Sequence, residues 1–139
     1  MSMQLDHVGL SVADLDAQTN WYCEAFDLQV SLPFQVAPIE LRGQFVTNGN
    51  GITIELLERK GSKPGLQPAN QAEALLTRGY GHICLRVTDV DSLYSKLISH
   101  GAGSRLAPQD SPEPGVRFAF VSDPEGNLIE FHDRKGPVA

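Results

Sequence analysis

His7-Val8-Gly9-Leu10-Ser11-Val12-Ala13-Asp14-Leu15-Asp16 returns later in the chain as His82-Ile83-Cys84-Leu85-Arg86-Val87-Thr88-Asp89-Val90-Asp91. The offset is 75 residues (82 − 7), and Glu55 recurs as Glu130 with the same step (130 − 55). Phe45-Val46, Gly51 and Ile54 likewise match Phe120-Val121, Gly126 and Ile129, and Arg42 falls on Arg117. A period this long is not a solenoid unit. It marks two copies of one module in a single chain.

The local pattern inside each copy follows from side-chain periodicity. Leu5 to Val12 alternates with a period of two, Val8, Leu10 and Val12 on one face and His7, Gly9 and Ser11 on the other. Asp14 is placed to cap a helix over Leu15 to Phe26, with Leu15, Trp21, Tyr22, Ala25 and Phe26 as its apolar face. Strands are expected around Gln29 to Phe34, Leu41 to Thr47 and Ile52 to Leu57. Asn48-Gly49-Asn50-Gly51 turns between the last two, because Asn and Gly tolerate positive φ. The second copy repeats the order. It has a strand over Gly81 to Val87 and a helix from about Val90 to His100, with Val90, Leu93, Leu97 and Ile98 inward and Gly101 closing it. Strands near Arg117 to Ser122 and Asn127 to His132 are joined by Asp123-Pro124-Glu125-Gly126. Between the copies, a short helix over Gln71 to Leu76 follows a Gly/Pro-rich stretch, capped by Asn70. Each module thus reads β-α-β-β-β, and the fold class is α+β. The expected organisation is one domain over 1–139, with module 1 at about 3–58, a linker at about 59–79 and module 2 at about 80–134.

Composition narrows the function classes. The 139-residue chain is 41% hydrophobic and 20% charged, which fits one globular domain able to bury a core. A net charge of −6 argues against nucleic acid as the main partner, since phosphate binding wants a basic patch. No apolar run is long enough to span a bilayer, and the first residues lack the layout of a signal peptide. Cys23 and Cys84 form no disulfide framework and suit a reducing compartment. A cytoplasmic protein without nucleic-acid or membrane partners is expected.

The repeated polar residues carry the functional signal. Duplicated folds repeat their apolar residues to keep packing, but packing alone does not require a His and a Glu to return in register. On Ile52 to Leu57 the apolar face holds Ile52, Ile54 and Leu56, leaving Glu55 opposite. Ile129 and Phe131 likewise leave Leu128, Glu130 and His132 opposite. His7, Glu55, His82 and Glu130 therefore all lie on faces turned away from the helices. A lone strand Glu is ordinarily just solvated. Two His and two carboxylates in register form a coherent ligand set for one divalent ion such as Zn, Ni, Co, Mn or Fe.

Asp6-His7-Val8-Gly9-Leu10-Ser11-Val12, Gly79-Tyr80-Gly81-His82-Ile83 and Val121-Ser122-Asp123-Pro124-Glu125-Gly126-Asn127-Leu128-Ile129-Glu130-Phe131 resemble the vicinal oxygen chelate superfamily. That superfamily includes glyoxalase I, methylmalonyl-CoA epimerase and extradiol dioxygenases. The resemblance spans nearly the whole chain. It implies tandem βαβββ modules forming a cupped mixed sheet with helices outside, around a metal held at the positions of His7, Glu55, His82 and Glu130. It also implies a homodimer and a small-molecule substrate with vicinal oxygens. The chemistry it implies is a glyoxalase-like lyase or epimerase working through a metal-chelated enediolate or enolate, with Glu130 moving the proton and Glu55 as its counterpart.

Two departures leave the substrate open. Ser11 stands where glutathione-dependent glyoxalases carry Arg, and Leu41 to Thr47 lacks the further carboxylate of the epimerases. Arg86, at the equivalent of Ser11, is a candidate for gripping an anionic group of the substrate. The alternatives are an Fe(II) extradiol-type dioxygenase and a non-catalytic antibiotic-binding protein of the bleomycin-resistance type; two intact His/Glu pairs disfavour both. Among the remaining polar side chains, Cys84 is expected as a small buried thiol and His132 as a strand-end surface residue. His100 is expected in the last helical turn, where a cation is mildly favoured. Phe118 and Phe120 share a face and are expected in the core.

Overall fold

A computed structural model describes residues 1–138, and the chain divides into two compact units, Met1–Pro64 and a second from Gly65 onward. Each unit is one four-stranded mixed sheet with a helix on one face, so the α+β class and the tandem βαβββ modules hold.

Unit 1 contains β1 (Val8–Ser11), α1 (Leu15–Phe26), β2 (Gln29–Val36), β3 (Leu41–Thr47) and β4 (Thr53–Arg59), with a 3-10 turn at Ala37–Ile39. The strand order is β1-β4-β3-β2, with β1 parallel to β4 and the remaining pairs antiparallel. Asp14 caps α1 as expected, its side chain accepting from the Ala17 amide at 2.9 Å. The helix packs on β3 and β4 and buries Leu15, Trp21, Tyr22 and Ala25. Gln18 and Thr19 are buried too, and the Thr19 hydroxyl accepts from the Gln44 side chain at 2.8 Å. That bond satisfies polar groups that would otherwise be costly in the core.

Unit 2 contains α2 (Gln71–Ala74), β5 (His82–Arg86), α3 (Val90–Ser99), β6 (Gly103–Asp110), β7 (Arg117–Ser122) and β8 (Leu128–His132). Its order, β5-β8-β7-β6, repeats that of unit 1. Asp89 caps α3 through the Ser92 amide at 3.0 Å, and Gly101 follows the C-cap at φ 89°. Val90 and Leu97 are buried as expected, whereas Ile98 is 37% exposed rather than inward.

The pairing registers of β4 with β1 and β3 repeat in those of β8 with β5 and β7. Val8 pairs with Ile54 and Ile83 with Ile129; Phe45 pairs with Glu55 and Phe120 with Glu130. The turns explain why. The Asn48 side chain accepts from the amides of Asn50 (2.8 Å) and Ile52 (3.0 Å). Asp123, at the equivalent position, accepts from Glu125 (2.9 Å) and Asn127 (3.0 Å). Each side chain imitates a backbone turn and locks the register of the following strand. Gly126, at φ 92°, is doubly constrained, because a Cβ there would fall 2.1 Å from the Gln67 side-chain oxygen.

The departures are local. β1 begins at Val8 rather than Leu5, so His7 precedes the strand while His82 opens β5. β6 has no sequence counterpart among the expected strands. It contains Pro108 and shifts register between Ser104 and Leu106 and again between Leu106 and Gln109, which destroys the two-residue period. No helix of the described residues is long and apolar enough to cross a membrane.

Candidate metal centre

Ile54 and Leu56 are 4% and 0% exposed, which fixes the phase of β4 and leaves Glu55 on the other face. β8 does the same with Ile129 and Phe131, at 1% and 0%. Each Glu then meets the His of its own unit. His7 Nε2 lies 3.7 Å from Glu55 Oε1, and His82 Nε2 lies 3.0 Å from Glu130 Oε2. Each imidazole also meets the ring of the aromatic opposite its Glu. Phe45 stands edge-on to His7 with centroids 5.3 Å apart, and Phe120 to His82 at 5.2 Å. The repeated unit is thus a His, Glu and Phe trio.

Neighbours differ between the two trios. Asp6 Oδ2 is 2.6 Å from His7 Nδ1. With Nδ1 donating to Asp6, the Nε2 lone pair is left facing Glu55. The His7 pKa is raised above the ordinary value, chiefly by that bond to Asp6, against desolvation and with a smaller push from Glu55. Strand phase does not predict the Asp6 contact, although an acid next to His7 is legible in the sequence. In unit 2 the equivalent position is Gly81. There Cys84 is paired in register with Glu130 and lies beside that carboxylate instead. Cys84 is not the buried thiol expected: the residue is exposed. Its thiol is nevertheless pushed up to about 12, first by loss of water around the sulfur and then by the charge of Glu130, so it stays protonated.

The other candidates fall as follows. Arg86 is exposed at the end of β5, on the strand face that carries His82 and Cys84. His132 is not a surface residue; it is 9% exposed, its Nδ1 accepting from the Arg134 amide at 3.2 Å with the Arg134 guanidinium 3.1 Å from Nε2. Arg134, two residues further on, covers the ring, which strand alternation alone could not reveal. His100 caps α3 with Nδ1 2.8 Å from the Lys96 carbonyl. Phe120 is core, at 1% exposure.

Donor chemistry within each pair suits a divalent cation. Two N/O donors bound to one ion at about 2.0–2.2 Å sit roughly 3.0–3.4 Å apart, depending on coordination geometry. The observed separations of 3.0 and 3.7 Å bracket that range. The structure brings His7 to Glu55 and His82 to Glu130. Among the described residues it gathers no set of three or more His, Cys, Asp or Glu side chains able to hold a metal ion.

A probable lactoylglutathione lyase of Vibrio parahaemolyticus is 28% identical over 134 residues, covering 93% of this chain and 89% of that protein. The trypanothione-dependent glyoxalase I of Leishmania major is 25% identical with a TM-score of 0.72, covering 96% of this chain and 88% of that one. A variant of glyoxalase I from Zea mays, 22% identical, superposes with a TM-score of 0.76 over 96% of this chain. The match takes in 45% of the maize chain, so the present chain spans about half of that protein's length. The profile of the Glyoxalase/Bleomycin resistance protein/Dioxygenase superfamily matches residues 4–131, and the chain belongs to that superfamily.

Proposed function

We propose that this protein is a metal-dependent glyoxalase-like lyase or epimerase, with His7, Glu55, His82 and Glu130 as the ligands of one divalent ion. The reading is carried by the recurrence of a His–Glu pair in the same strand register in both units. One pair supplies two ligands, short of the three or four that a zinc-type ion takes, so the proposal requires both. A bound Zn, Ni, Co, Mn or Fe ion would supply Lewis acidity toward the vicinal oxygens of a small-molecule substrate. The chain's own residues do the rest. His7 and His82 offer Nε2 lone pairs, Asp6 orients the first, and the carboxylate of Glu130 takes a proton from the carbon beside a carbonyl and returns it. Glu55 is its counterpart, and Arg86 grips an anionic group of the substrate. The curated relative and the Leishmania enzyme support the lyase side of this reading. On the same reading the chain works as a homodimer.

The test combines metal analysis of the purified protein with turnover of methylglyoxal–thiol adducts and epimerisation of acyl-CoA thioesters. One equivalent of divalent metal per site is expected. Glu130→Gln should lower metal-dependent kcat by about 10²–10⁴-fold, the usual worth of a positioned acid–base group. Undiminished metal-dependent turnover in that variant would overturn the proton-transfer role.

A further inference from the structure

The duplication runs past the His and Glu positions. Glu58-Arg59-Lys60-Gly61 ends β4, and Asp133-Arg134-Lys135-Gly136 follows β8 with the same 75-residue step (134 − 59). In unit 2 the Arg and Lys of that segment are both paired. The Arg134 side chain is 20% exposed and forms an ion pair through both carboxylate oxygens of Glu113, while its guanidinium reaches His132. Lys135 lies 3.8 Å from Asp133.

Unit 1 lacks those partners. Pro38 stands at the position of Glu113, and Leu57 at that of His132. Arg59 is exposed and lines an open surface cavity of about 570 Å³. Neither His7 nor Glu55 belongs to this cavity. Its charged lining is Arg42, Arg59 and Lys60 against Glu40 and Glu58. Each acid is already matched: Glu58 to Arg42 at 3.0 Å, and Glu40 to Lys60 at 3.0 Å. Asp16 also lies 3.7 Å from Arg42, and among the described residues no carboxylate pairs with Arg59, the one cation of this wall left without an acid. Gln35 and Ser62 add neutral polar groups to the wall.

The rim carries a second departure from the repeat. Glu40 adopts φ 49°, in the left-handed region, where the equivalent residue of unit 2 is Gly115 at φ 74°. A non-glycine is disfavoured there and persists where its surroundings hold it. Here the Glu40 amide donates to the Ala37 carbonyl at 3.0 Å and its carbonyl accepts from the Lys60 amide at 3.3 Å, which holds the backbone beside Arg59.

We propose that this cavity binds a small organic anion through Arg59, the recognised group being a carboxylate or a phosphoryl group. A guanidinium meets either with two parallel N–H donors, which a lysine cannot do. Titration of the ¹⁵N-labelled protein with inorganic phosphate and with acetate, each against chloride at matched ionic strength, tests it. The repeat supplies an internal reference, because residues 134–136 carry the same tripeptide with its arginine already paired. Saturable shifts are expected at residues 59–62 and 35–42 but not at 134–136, and the tighter of the two anions names the group. Arg59→Gln, at an exposed position, should leave the rest of the spectrum unchanged and weaken binding about 10–100-fold, the loss expected for charge-assisted hydrogen bonds. Shifts of equal size and midpoint at both tripeptides, no saturation with either anion, or an undiminished response in Arg59→Gln would overturn the proposal.

Discussion

The two modules carry the same His, Glu and Phe and surround them differently. In module 1 the His stands just before its strand, with Nδ1 on Asp6 and a 3.7 Å gap to Glu55. In module 2 the His opens its strand, Gly81 replaces Asp6, and the His–Glu separation closes to 3.0 Å. Gly9 in the first becomes Cys84 in the second, placing a thiol beside the Glu. The repeated arginines differ in the same way. Arg42 grips Glu58 from the neighbouring strand, with Asp16 of the helix at 3.7 Å; Arg117 grips the helix residue Asp91 at 2.6 Å, while Asp133 binds the Arg117 amide at 2.9 Å. The register among β1, β3 and β4 was copied faithfully in β5, β7 and β8, and the partners were not. Register is set by turns and core residues that resist change, whereas a polar neighbour can be exchanged at little cost to packing.

The largest effect should come from the shared framework. Leu56 and Phe131 occupy equivalent positions, both at 0% exposure, behind Glu55 and Glu130. Leu56→Ala should cost about 2–5 kcal/mol and Phe131→Ala about 3–5 kcal/mol, read from urea midpoints at unchanged m-value. A loss below 1 kcal/mol at either site would break the equivalence of the two cores. Next comes the difference in histidine support. Asp6→Asn should weaken divalent-metal binding about 10–100-fold, the usual worth of a partner behind a ligating His, as followed by competition with a chelator. Affinity equal to that of the parent would remove Asp6 from the site.

Acid stability sharpens the contrast between the arginines. The Glu58 carboxyl is held below its ordinary value of 4.5, first by the Arg42 bond and then by the Leu15 amide. Asp91 is held below 3.8 by Arg117, and Asp133 below the same value by the Arg117 amide. A depressed folded-state pKa stabilises above the unfolded value and is lost as pH falls through the folded one. Stability should therefore decline below pH 4.5. Arg42→Met should flatten the part due to Glu58, and Arg117→Met the part due to Asp91 below pH 3.8. An unchanged pH slope in both variants would show that these pairs add nothing measurable. The smallest effect is expected from Gly9→Cys, since a Cβ there would meet Glu55 Oε1 at an ordinary 3.7 Å. Thermal unfolding should move by an amount equivalent to about 1 kcal/mol or less; a larger drop would mean that the first module cannot take the second module's neighbour.

Much of the architecture was legible beforehand because its signals are local. α1, β3 and β7 fall where periodicity placed them, and the Asp14, Asn70 and Gly101 caps act as read. β6 was not legible, since its register shifts and Pro108 leave no alternation to detect. The four candidate ligands were found by strand phase and in-register repetition. Their immediate partners were not, because Cys84 and Glu130 are 46 residues apart in the chain (130 − 84) and meet only through parallel pairing.

The sequence by itself determined the duplication, the strand phases and the faces on which His7, Glu55, His82 and Glu130 lie. Each of these follows from a period of two, a cap or a fixed offset, and none needs knowledge of distant neighbours. Only the tertiary structure decided which polar groups touch. It put Asp6 behind one histidine and Cys84 beside the opposite glutamate, buried His132 under Arg134, and left Arg59 facing a cavity without its twin's carboxylate. Strand pairing and side-chain rotamers settle such contacts, and neither is written in the local pattern of residues.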